Sequence, residues 1–276
     1  MKETETTSDV SPLFPDEARD FMAEHMEGSY LLLDVRQAFE YQEGHLPGAT
    51  LIPLPTLPDL AGGLDPGKPT IVYCASGGRS RMAAQFLAHQ GFRQVFNLMG
   101  GIQAWEGRPA EGPREFHLRF VAGDESPQEV ATLAYEMEKG LQGFHRTMQD
   151  RTTDPGLAEL LGHLVKAEGV HMRRLVATGL VVAEPVKSGA PAVMEGGIDA
   201  EEFLSRNESF LRTVPGVIDV AMMIETQALD LYLRMAQASR RPETRQLLFQ
   251  IAEEEKAHLA ALGRFLESGS PGAHSF

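Results

Sequence analysis

The chain has 276 residues but only one cysteine, Cys74, and this scarcity sets the first limits on its chemistry. A single cysteine excludes an internal disulfide and any metal site built from paired cysteines. The longest apolar runs, such as residues 31–35, fall far short of the roughly 20 residues that a membrane-spanning helix needs. The N-terminus is polar and acidic, with no apolar segment behind it, so we expect no signal peptide and a cytoplasmic location.

Clusters of basic residues are also missing. The chain has 25 Lys and Arg residues against 39 Asp and Glu residues, which gives a net charge of −14. Without a basic patch, we expect neither nucleic acid nor an anionic membrane among the partners. The remaining composition, with 42% hydrophobic and 23% charged residues, is ordinary for a globular protein.

Two kinds of sequence pattern divide the chain. The first part alternates short apolar strands, such as residues 70–73, with helical stretches, such as residues 80–90, a pattern typical of an α/β domain with a mostly parallel sheet. A stretch rich in Gly and Pro follows and is predicted to be a linker. The predicted parts are an N-terminal tail (1–14), an α/β domain (15–107), a linker (108–125), a helical domain (126–267) and a C-terminal tail (268–276).

The second part predicts an all-α four-helix bundle with one long crossover. Ser126 and Asp154 each stand before a proline, which is a signal for a capped helix start. The predicted helices span residues 127–150, 155–178, 215–238 and 242–267. Short turns join the first pair and the last pair, while a longer segment, about 179–214, connects the two pairs.

An internal repeat relates the two helix pairs. A constant shift in residue number places Glu138 on Glu225, and places the Glu-x-x-His motif that begins at Glu168 on the one that begins at Glu255. In each motif the two side chains share one face of a helix, because they are three residues apart. Chance alone supplies Glu-x-x-His pairs on solvated faces, but it does not supply a matched upstream glutamate inside a repeat.

This combination predicts a site for two metal ions in the core of the bundle. One Glu from each of two helices and a Glu-x-x-His pair from each of the other two form the ligand set of carboxylate-bridged metal centres. Four carboxylates balance the charge of two divalent ions, and the imidazoles suit iron or manganese. Without a metal, these buried carboxylates would be strongly destabilising. The predicted ligands are Glu138, Glu168, His171, Glu225, Glu255 and His258.

These residues resemble the rubrerythrin branch of the ferritin-like superfamily, over residues 126–267. The resemblance implies a di-iron site, with manganese as the alternative, and oxidase or peroxide-reducing chemistry. It also implies peroxide or oxygen as a substrate, and an electron donor that the sequence does not identify. The four cysteines of the rubredoxin module that accompanies this family are missing from the chain.

The resemblance has two further departures. The family carries an extra glutamate on the third helix, where this chain has Met222 and Ala228 three residues on either side of Glu225. The tyrosine expected beside the site is present as Tyr232 in the second copy, but the first copy has His145 instead. His145 is open to three interpretations, as a hydrogen-bond partner of a ligand, as an occasional ligand or as a simple substitution. We expect both His145 and Tyr232 to be hydrogen-bond partners of ligands.

The single cysteine begins a loop that follows a strand and opens a helix. Such a loop directs several backbone N–H groups to one point, and this should lower the pKa of Cys74 and make it a nucleophile. Arg79 offers a fixed cation for an anionic substrate, and Ser80 fits as the helix cap. A buried structural cysteine at the end of a strand is the alternative. The loop residues predicted to surround a substrate are Ala75, Ser76, Gly77, Gly78, Arg79 and Ser80.

This loop resembles the active-site loop of rhodanese domains, and the segments 33–36, 44–49 and 100–105 also follow that family's pattern. The resemblance implies a sulfurtransferase that carries sulfane sulfur as a persulfide on Cys74. Ala75 stands where many thiosulfate-using members have a basic residue, so polysulfide, glutathione persulfide or a protein persulfide remain open as donors. The related phosphatases have a longer loop, so a tetrahedral oxyanion is the weaker substrate. The residues implied to be chiefly scaffold are Asp34, Arg36 and His45.

The leading hypothesis is therefore an enzyme that combines sulfur transfer at Cys74 with redox chemistry at a di-iron centre. Two alternatives belong to other classes: a metal-binding sensor of iron or redox state without turnover in the bundle, and an inactive rhodanese fold used for docking. The intact Cys74 argues against the second of these. For the assembly we expect a homodimer.

Overall fold

A computed structural model describes residues 10–112, 123–181, 193–194, 198–199 and 210–268. The chain divides into two units, Met1–Phe116 and His117–Phe276, and each has its own hydrophobic clusters. Within the described ranges, no helix combines the length and the hydrophobicity needed to cross a membrane.

The first unit is built on a five-stranded sheet in which every pair of neighbouring strands is parallel. The strands are β1 (Val10–Leu13), β2 (Leu31–Asp34), β3 (Thr50–Leu51), β4 (Thr70–Tyr73) and β5 (Val95–Leu98), in the spatial order β1-β5-β4-β2-β3. The helices are α1 (Pro15–Glu24), α2 (Ala38–Glu43), α3 (Leu57–Leu60) and α4 (Gly78–His89). The prediction of an α/β domain with a mostly parallel sheet is confirmed.

The central strand β4 explains why this sheet needs cover on both faces. All four of its residues are buried, as expected for a parallel strand with an apolar layer on each side. Val72 belongs to one apolar cluster together with Leu33, whereas Ile71 belongs to the opposite cluster together with Leu32. The strand ends at Tyr73, so Cys74 directly follows it at the carboxyl edge of the sheet.

The start of the predicted linker packs on the first unit. His45 and Ala110 exchange two backbone hydrogen bonds of 2.8 Å, and Ala110 is fully buried. Residues 108–112 are thus fixed to the α/β unit, while residues 113–122 lie outside the described residues. On the other side of this gap, the carbonyl of Gly123 accepts a hydrogen bond of 2.9 Å from the backbone N–H of Arg240.

The second unit is mostly helical. Its long helices are α5 (Pro127–Arg151), α6 (Pro155–Ala177), α7 (Val214–Ala238) and α8 (Pro242–Ser268), and two short strands, β6 (Val193–Met194) and β7 (Ile198–Asp199), pair antiparallel. Ser126 and Asp154 cap α5 and α6 by accepting hydrogen bonds from backbone N–H groups of the first turn. The four predicted helices are confirmed, with α8 reaching one residue into the predicted C-terminal tail. The strands within the predicted crossover were not anticipated.

The helices form two hairpins, α5 with α6 and α7 with α8, whose apolar side chains meet in two clusters. One cluster includes Leu141 and Leu164 from the first hairpin and Ile224 from the second. The other includes Met137 and Ala252. Along every helix, the predicted metal ligands fall between the residues of these two clusters. The arrangement is compatible with a helical bundle that has a polar layer between two apolar layers.

Candidate functional sites

The Cys74 loop leaves the sheet at the carboxyl end of β4 and enters α4 through two glycines. Gly77 is the last residue before the helix and has a left-handed φ of +96°, which an L side chain rarely adopts. A Cβ atom there would also lie 3.3 Å from the backbone nitrogen of Gly100. The glycine therefore allows the chain to curl back toward the sulfur of Cys74.

Two hydrogen bonds reach the sulfur atom, although only 1% of Cys74 is exposed. The backbone N–H of Gly77 lies 3.1 Å from Sγ, and the hydroxyl of Ser80 lies 3.4 Å from it. Burial raises the pKa of the Cys74 thiol, but the Ser80 hydroxyl and the backbone N–H groups of Ser80, Ser76 and Gly77 outweigh burial and lower the pKa below its ordinary value. The loop therefore favours the thiolate, which is the nucleophilic form.

The prediction that Ser80 caps the helix is wrong. The helix begins at Gly78 with Gly77 as its N-cap, so Ser80 lies inside the first turn and is fully buried. Glycines at these two positions let the helix start earlier than a search for capping hydroxyls suggests. The hydroxyl of Ser80 is therefore available to the sulfur atom of Cys74.

Arg79 is held by a partner that the sequence did not indicate. Its guanidinium donates two hydrogen bonds, of 2.7 and 2.6 Å, to the two carboxylate oxygens of Glu40 at the start of α2. The hydrogen bond from Arg79 lowers the pKa of Glu40 to about 2, with some opposition from burial and further help from the backbone N–H of Gln37. Arg79 is thus held in place by Glu40, and this carboxylate compensates much of its charge.

A second glycine turn supports the loop from another side. The backbone N–H groups of Ile102 and Gln103 donate to the carbonyls of Cys74 and Ala75, at 2.9 and 3.1 Å. Gly101 has a φ of +60°, and a Cβ atom on it would lie 2.3 Å from the carbonyl oxygen of Cys74. The pair of glycines at 100 and 101 was visible in the sequence, but its contact with the cysteine was not.

The residues expected to be scaffold form a separate buried network. Arg36 pairs with Asp34 at 2.7 Å and donates to the carbonyl of Gly44 at 2.6 Å. The ring of His45 stacks on Tyr41 at 3.7 Å, and its Nδ1 lies 2.8 Å from the carbonyl oxygen of Tyr41. These contacts tie the segment after β2 to α2, which carries Glu40 toward Arg79.

The second candidate site lies between the two apolar clusters of the helical unit. Six side chains form two groups of three, and within each group one ligand atom per residue lies within 4.8 Å of the others. All are buried except His258, whose side chain is 14% exposed. The groups are Glu138, Glu168 and His171 in the first hairpin, and Glu225, Glu255 and His258 in the second.

Each histidine faces both carboxylates of its own group. Nδ1 of His171 lies 3.4 Å from a carboxylate oxygen of Glu138 and 3.3 Å from one of Glu168. Nδ1 of His258 lies at 3.4 and 3.5 Å from the two carboxylates of the second group. The two imidazole rings stack with their centroids 3.7 Å apart. The two groups of the repeat therefore adjoin.

The residues present fit a pair of metal ions. Oε2 of Glu168 and Nδ1 of His171 are buried and lie 3.3 Å apart, but neither forms a hydrogen bond, although buried polar atoms normally do. Burial raises the pKa of Glu225, but hydrogen bonds from His258 and Glu255 outweigh burial and bring the pKa to about 2. The second group therefore keeps a charged carboxylate in an apolar bundle. Oxygen and imidazole donors of this kind suit iron or manganese.

His145 and Tyr232 occupy equivalent positions of the repeat, and both are buried. Nδ1 of His145 lies 3.6 Å from Oε1 of Glu168. Burial lowers the pKa of His145, although the charges of Glu168 and Glu225 act in the opposite direction. Burial therefore favours the neutral form of this imidazole.

The comparisons with known proteins concern the first unit. The rhodanese-like domain model matches residues 17–108. A chloroplast protein of Arabidopsis thaliana, rhodanese-like/PpiC domain-containing protein 12, is 40% identical over 98 residues, which cover 34% of this chain and 29% of that protein. A sulfurtransferase of Allochromatium vinosum is 36% identical, over 30% of this chain and 79% of that protein. The thiosulfate sulfurtransferase GlpE of Coxiella burnetii is 36% identical, over 28% of this chain and 71% of that protein.

Proposed function

Because the chain belongs to the rhodanese-like domain family through residues 17–108, we propose that its first unit is a sulfurtransferase with Cys74 as the sulfur carrier. The observation that carries this proposal is the loop geometry, in which a backbone N–H and a buried hydroxyl both donate to Sγ. The names of the relatives from Allochromatium and Coxiella support the same activity.

The reaction divides into two nucleophilic displacements. In the first, the Cys74 thiolate attacks the outer sulfur of the donor, the donor's bond to that sulfur breaks, and the donor leaves with the electron pair. In the second, an acceptor nucleophile attacks the outer sulfur of the Cys74 persulfide and restores the thiolate. No net oxidation occurs. The donors around Sγ stabilise the negative charge before and after each step.

The surroundings of the loop favour persulfide donors over thiosulfate. Arg79 is already paired with Glu40, and Ala75 adds no charge, so the loop offers little free positive charge to a dianion. A polysulfide, glutathione persulfide or a protein persulfide needs only an accessible outer sulfur. We therefore assign this class as the donor.

A mass measurement tests the sulfur carrier directly, because the chain has no other cysteine. After incubation with glutathione persulfide, the intact protein should gain the mass of one sulfur atom, and cyanide should remove it as thiocyanate. Prior alkylation should block the gain. A gain of one sulfur atom by protein that was alkylated beforehand, or release of thiocyanate from a treated Cys74→Ser variant, would refute the assignment.

For the helical unit we propose a ferritin-like bundle of the rubrerythrin type that holds two iron ions, with manganese as the alternative. The adjoining pair of carboxylate and histidine groups supports this proposal. Bound iron would supply reversible electron storage for the reduction of peroxide or oxygen. The protein side chains hold the ions and the apolar clusters keep water out. We further propose that the chain works as a homodimer, with an electron donor that is a separate molecule.

The second candidate function for this unit is a sensor of iron or redox state that binds metal without turnover. The observation that favours it is the close burial of the cluster, where only His258 among the six ligands has appreciable exposure. Anaerobic addition of peroxide to the reduced, iron-loaded chain separates the two candidates. An enzyme consumes many equivalents of peroxide when reductant is supplied, whereas a sensor stops after one oxidation.

Metal analysis of the full chain from iron-replete cells tests metal binding itself. We expect about two iron ions per chain. A double variant, Glu168→Ala with Glu255→Ala, should lose them. A matched control, Glu136→Ala with Glu159→Ala, removes two exposed glutamates of α5 and α6 and should keep them. Equal iron content in the two variants would overturn the proposal.

A further inference from the structure

The repeat in the helical unit is broken at one buried position beside the metal cluster. The six proposed ligands match pairwise between the hairpins, but His145 on α5 corresponds to Tyr232 on α7. A phenol is protonated at neutral pH and is a poor ligand, whereas a neutral imidazole is a common one. The two halves of the cluster therefore differ in the number of nitrogen donors that they place nearby.

His145 lies beside the cluster, and one of its two ring nitrogens, Nδ1, makes no hydrogen bond. Only 1% of the residue is exposed, and its Nδ1 atom is buried without a hydrogen-bond partner. Oε1 of Glu168 lies 3.6 Å from this nitrogen. A buried nitrogen without a hydrogen bond costs free energy unless another interaction replaces the lost water.

Glu168 stands between two imidazoles. Its Oε2 atom lies 3.3 Å from His171, and its other oxygen, Oε1, is the one that faces His145. Two ligand atoms bonded to one metal at about 2.1 Å are separated by about 3 Å when adjacent and about 4 Å when opposite. The separation of 3.6 Å between Oε1 and Nδ1 falls in that interval.

We propose that His145 is a third histidine ligand of the cluster, so that the ion on the Oε1 side of Glu168 has one more nitrogen donor than repeat symmetry gives. This inference rests on the proposed function, because it requires two metal ions in the helical unit. Its consequence is a pair of unequal metal positions in an otherwise symmetric site. The extra imidazole strengthens binding of borderline divalent ions at one position only.

Cobalt(II) is the probe that tests this proposal, because its visible absorption depends on the number and kind of its ligands. The full chain, stripped of metal and titrated with cobalt, should bind two ions with different affinities and different spectra. In His145→Ala, the native spectrum of one of the two ions should disappear, and the dissociation constant of that ion should rise about 100-fold. This rise is at the upper end of the effect of removing a hydrogen-bond partner of a ligand. The other ion should be unchanged.

A second variant separates a ligand from a hydrogen-bond donor. His145→Gln keeps an N–H donor near Glu168 but removes the imidazole nitrogen, so it should behave like His145→Ala. If His145→Gln restores the native cobalt spectrum, His145 acts only by hydrogen bonding and the proposal is wrong. The Gln variant also serves if the Ala variant fails to fold.

Two results distinguish a failure of this inference about His145 from a failure of the proposed function. If the native chain binds no cobalt in the helical unit, the metal assignment itself fails. If the native chain binds two ions with identical spectra and affinities, only the role of His145 fails. Met148→Leu, a buried change in the apolar cluster of the same helix, should leave both ions unchanged and controls for general effects on packing.

Discussion

In the Cys74 loop the main chain supplies most of the groups that surround the reactive atom, whereas in the helical unit side chains supply all of them. The sulfur is faced by backbone N–H groups and one hydroxyl, and glycines set the path of the loop. The cluster consists of four carboxylates and two imidazoles carried by helices. The first site therefore depends on backbone conformation, and the second on a balance of charge.

This difference predicts different sensitivities to substitution. In the loop, a side chain can change without loss if the backbone keeps its path, apart from Cys74 and the hydroxyl of Ser80. In the cluster, each ligand removed changes the charge that a metal must balance. The following predictions, in order of decreasing effect, test whether the two sites differ in this way.

The largest expected effect is the loss of sulfur transfer in Cys74→Ser. A hydroxyl cannot form the persulfide, so the transfer of sulfur from glutathione persulfide to cyanide should fall to background. Ser76→Ala is the matched change in the same loop, and it keeps the backbone N–H that faces the sulfur. It should retain most of the rate. A large loss in Ser76→Ala would show that side chains matter more in this loop than its geometry indicates.

In the helical unit, metal should stabilise the native chain but not a variant with fewer ligand charges. An ion at a hundred times its dissociation constant adds about 2.7 kcal/mol if it binds only the folded state. In Glu168→Gln with Glu255→Gln this gain should disappear, while the metal-free variant should melt above the metal-free native chain because the apolar bundle then holds two fewer ionisable carboxyl groups. Thermal unfolding with and without iron(II) measures both effects. A metal-free variant that melts lower would contradict the charge argument.

Gly101→Ala should destabilise the fold of the loop without removing any group that contacts the sulfur of Cys74. The new Cβ would meet the carbonyl of Cys74, and the left-handed φ adds strain, so we expect a loss of about 1–3 kcal/mol. Gly63→Ala has no atom within 4 Å of its Cβ and no positive φ, so it should change stability by less than about 0.5 kcal/mol. Urea unfolding compares the two variants. Equal stabilities would mean that the close approach at Gly101 is unimportant.

The smallest expected effect concerns the Glu40–Arg79 pair. The pKa of Glu40 is about 2, below its usual 4.5, so the pair stabilises the fold above pH 5 and loses its contribution as the pH falls toward 2. Arg79 is 35% exposed, so solvent screening limits the contribution to about 0.5–1 kcal/mol. The difference in melting temperature between the native chain and Glu40→Gln should therefore shrink from pH 7 to pH 3. A constant difference would refute the pairing.

The same substitution bears on the sulfur donor. Glu40→Gln frees the guanidinium of Arg79 from its carboxylate, so thiosulfate should become a better donor relative to glutathione persulfide. The ratio of the two rates, measured with cyanide as the acceptor, reports this change. An unchanged ratio would show that Glu40 does not influence which sulfur donor is preferred.

Sequence patterns predicted the helices and the adjoining ligand groups because periodicity and repetition are local properties of the chain. Glu168 and His171 share a helix face by spacing alone, and the repeat supplied the second copy. The ion pair of Glu40 with Arg79 was missed because it joins residues of two different helices through tertiary packing. The prediction that Ser80 caps the helix was wrong because a hydroxyl near a helix start has more than one possible partner.

The stacking of His171 on His258 has a consequence for the order in which the helical unit assembles. Each hairpin gains most of its contacts between helices that are neighbours in sequence, so we expect the hairpins to form early and to dock late. The two histidines belong to different hairpins, so the complete cluster exists only after docking. An ion held by both groups would stabilise contacts that form only after the transition state of folding. It would therefore slow unfolding more than it speeds folding. Metal binding would then set the lifetime of the folded unit rather than the speed of its formation.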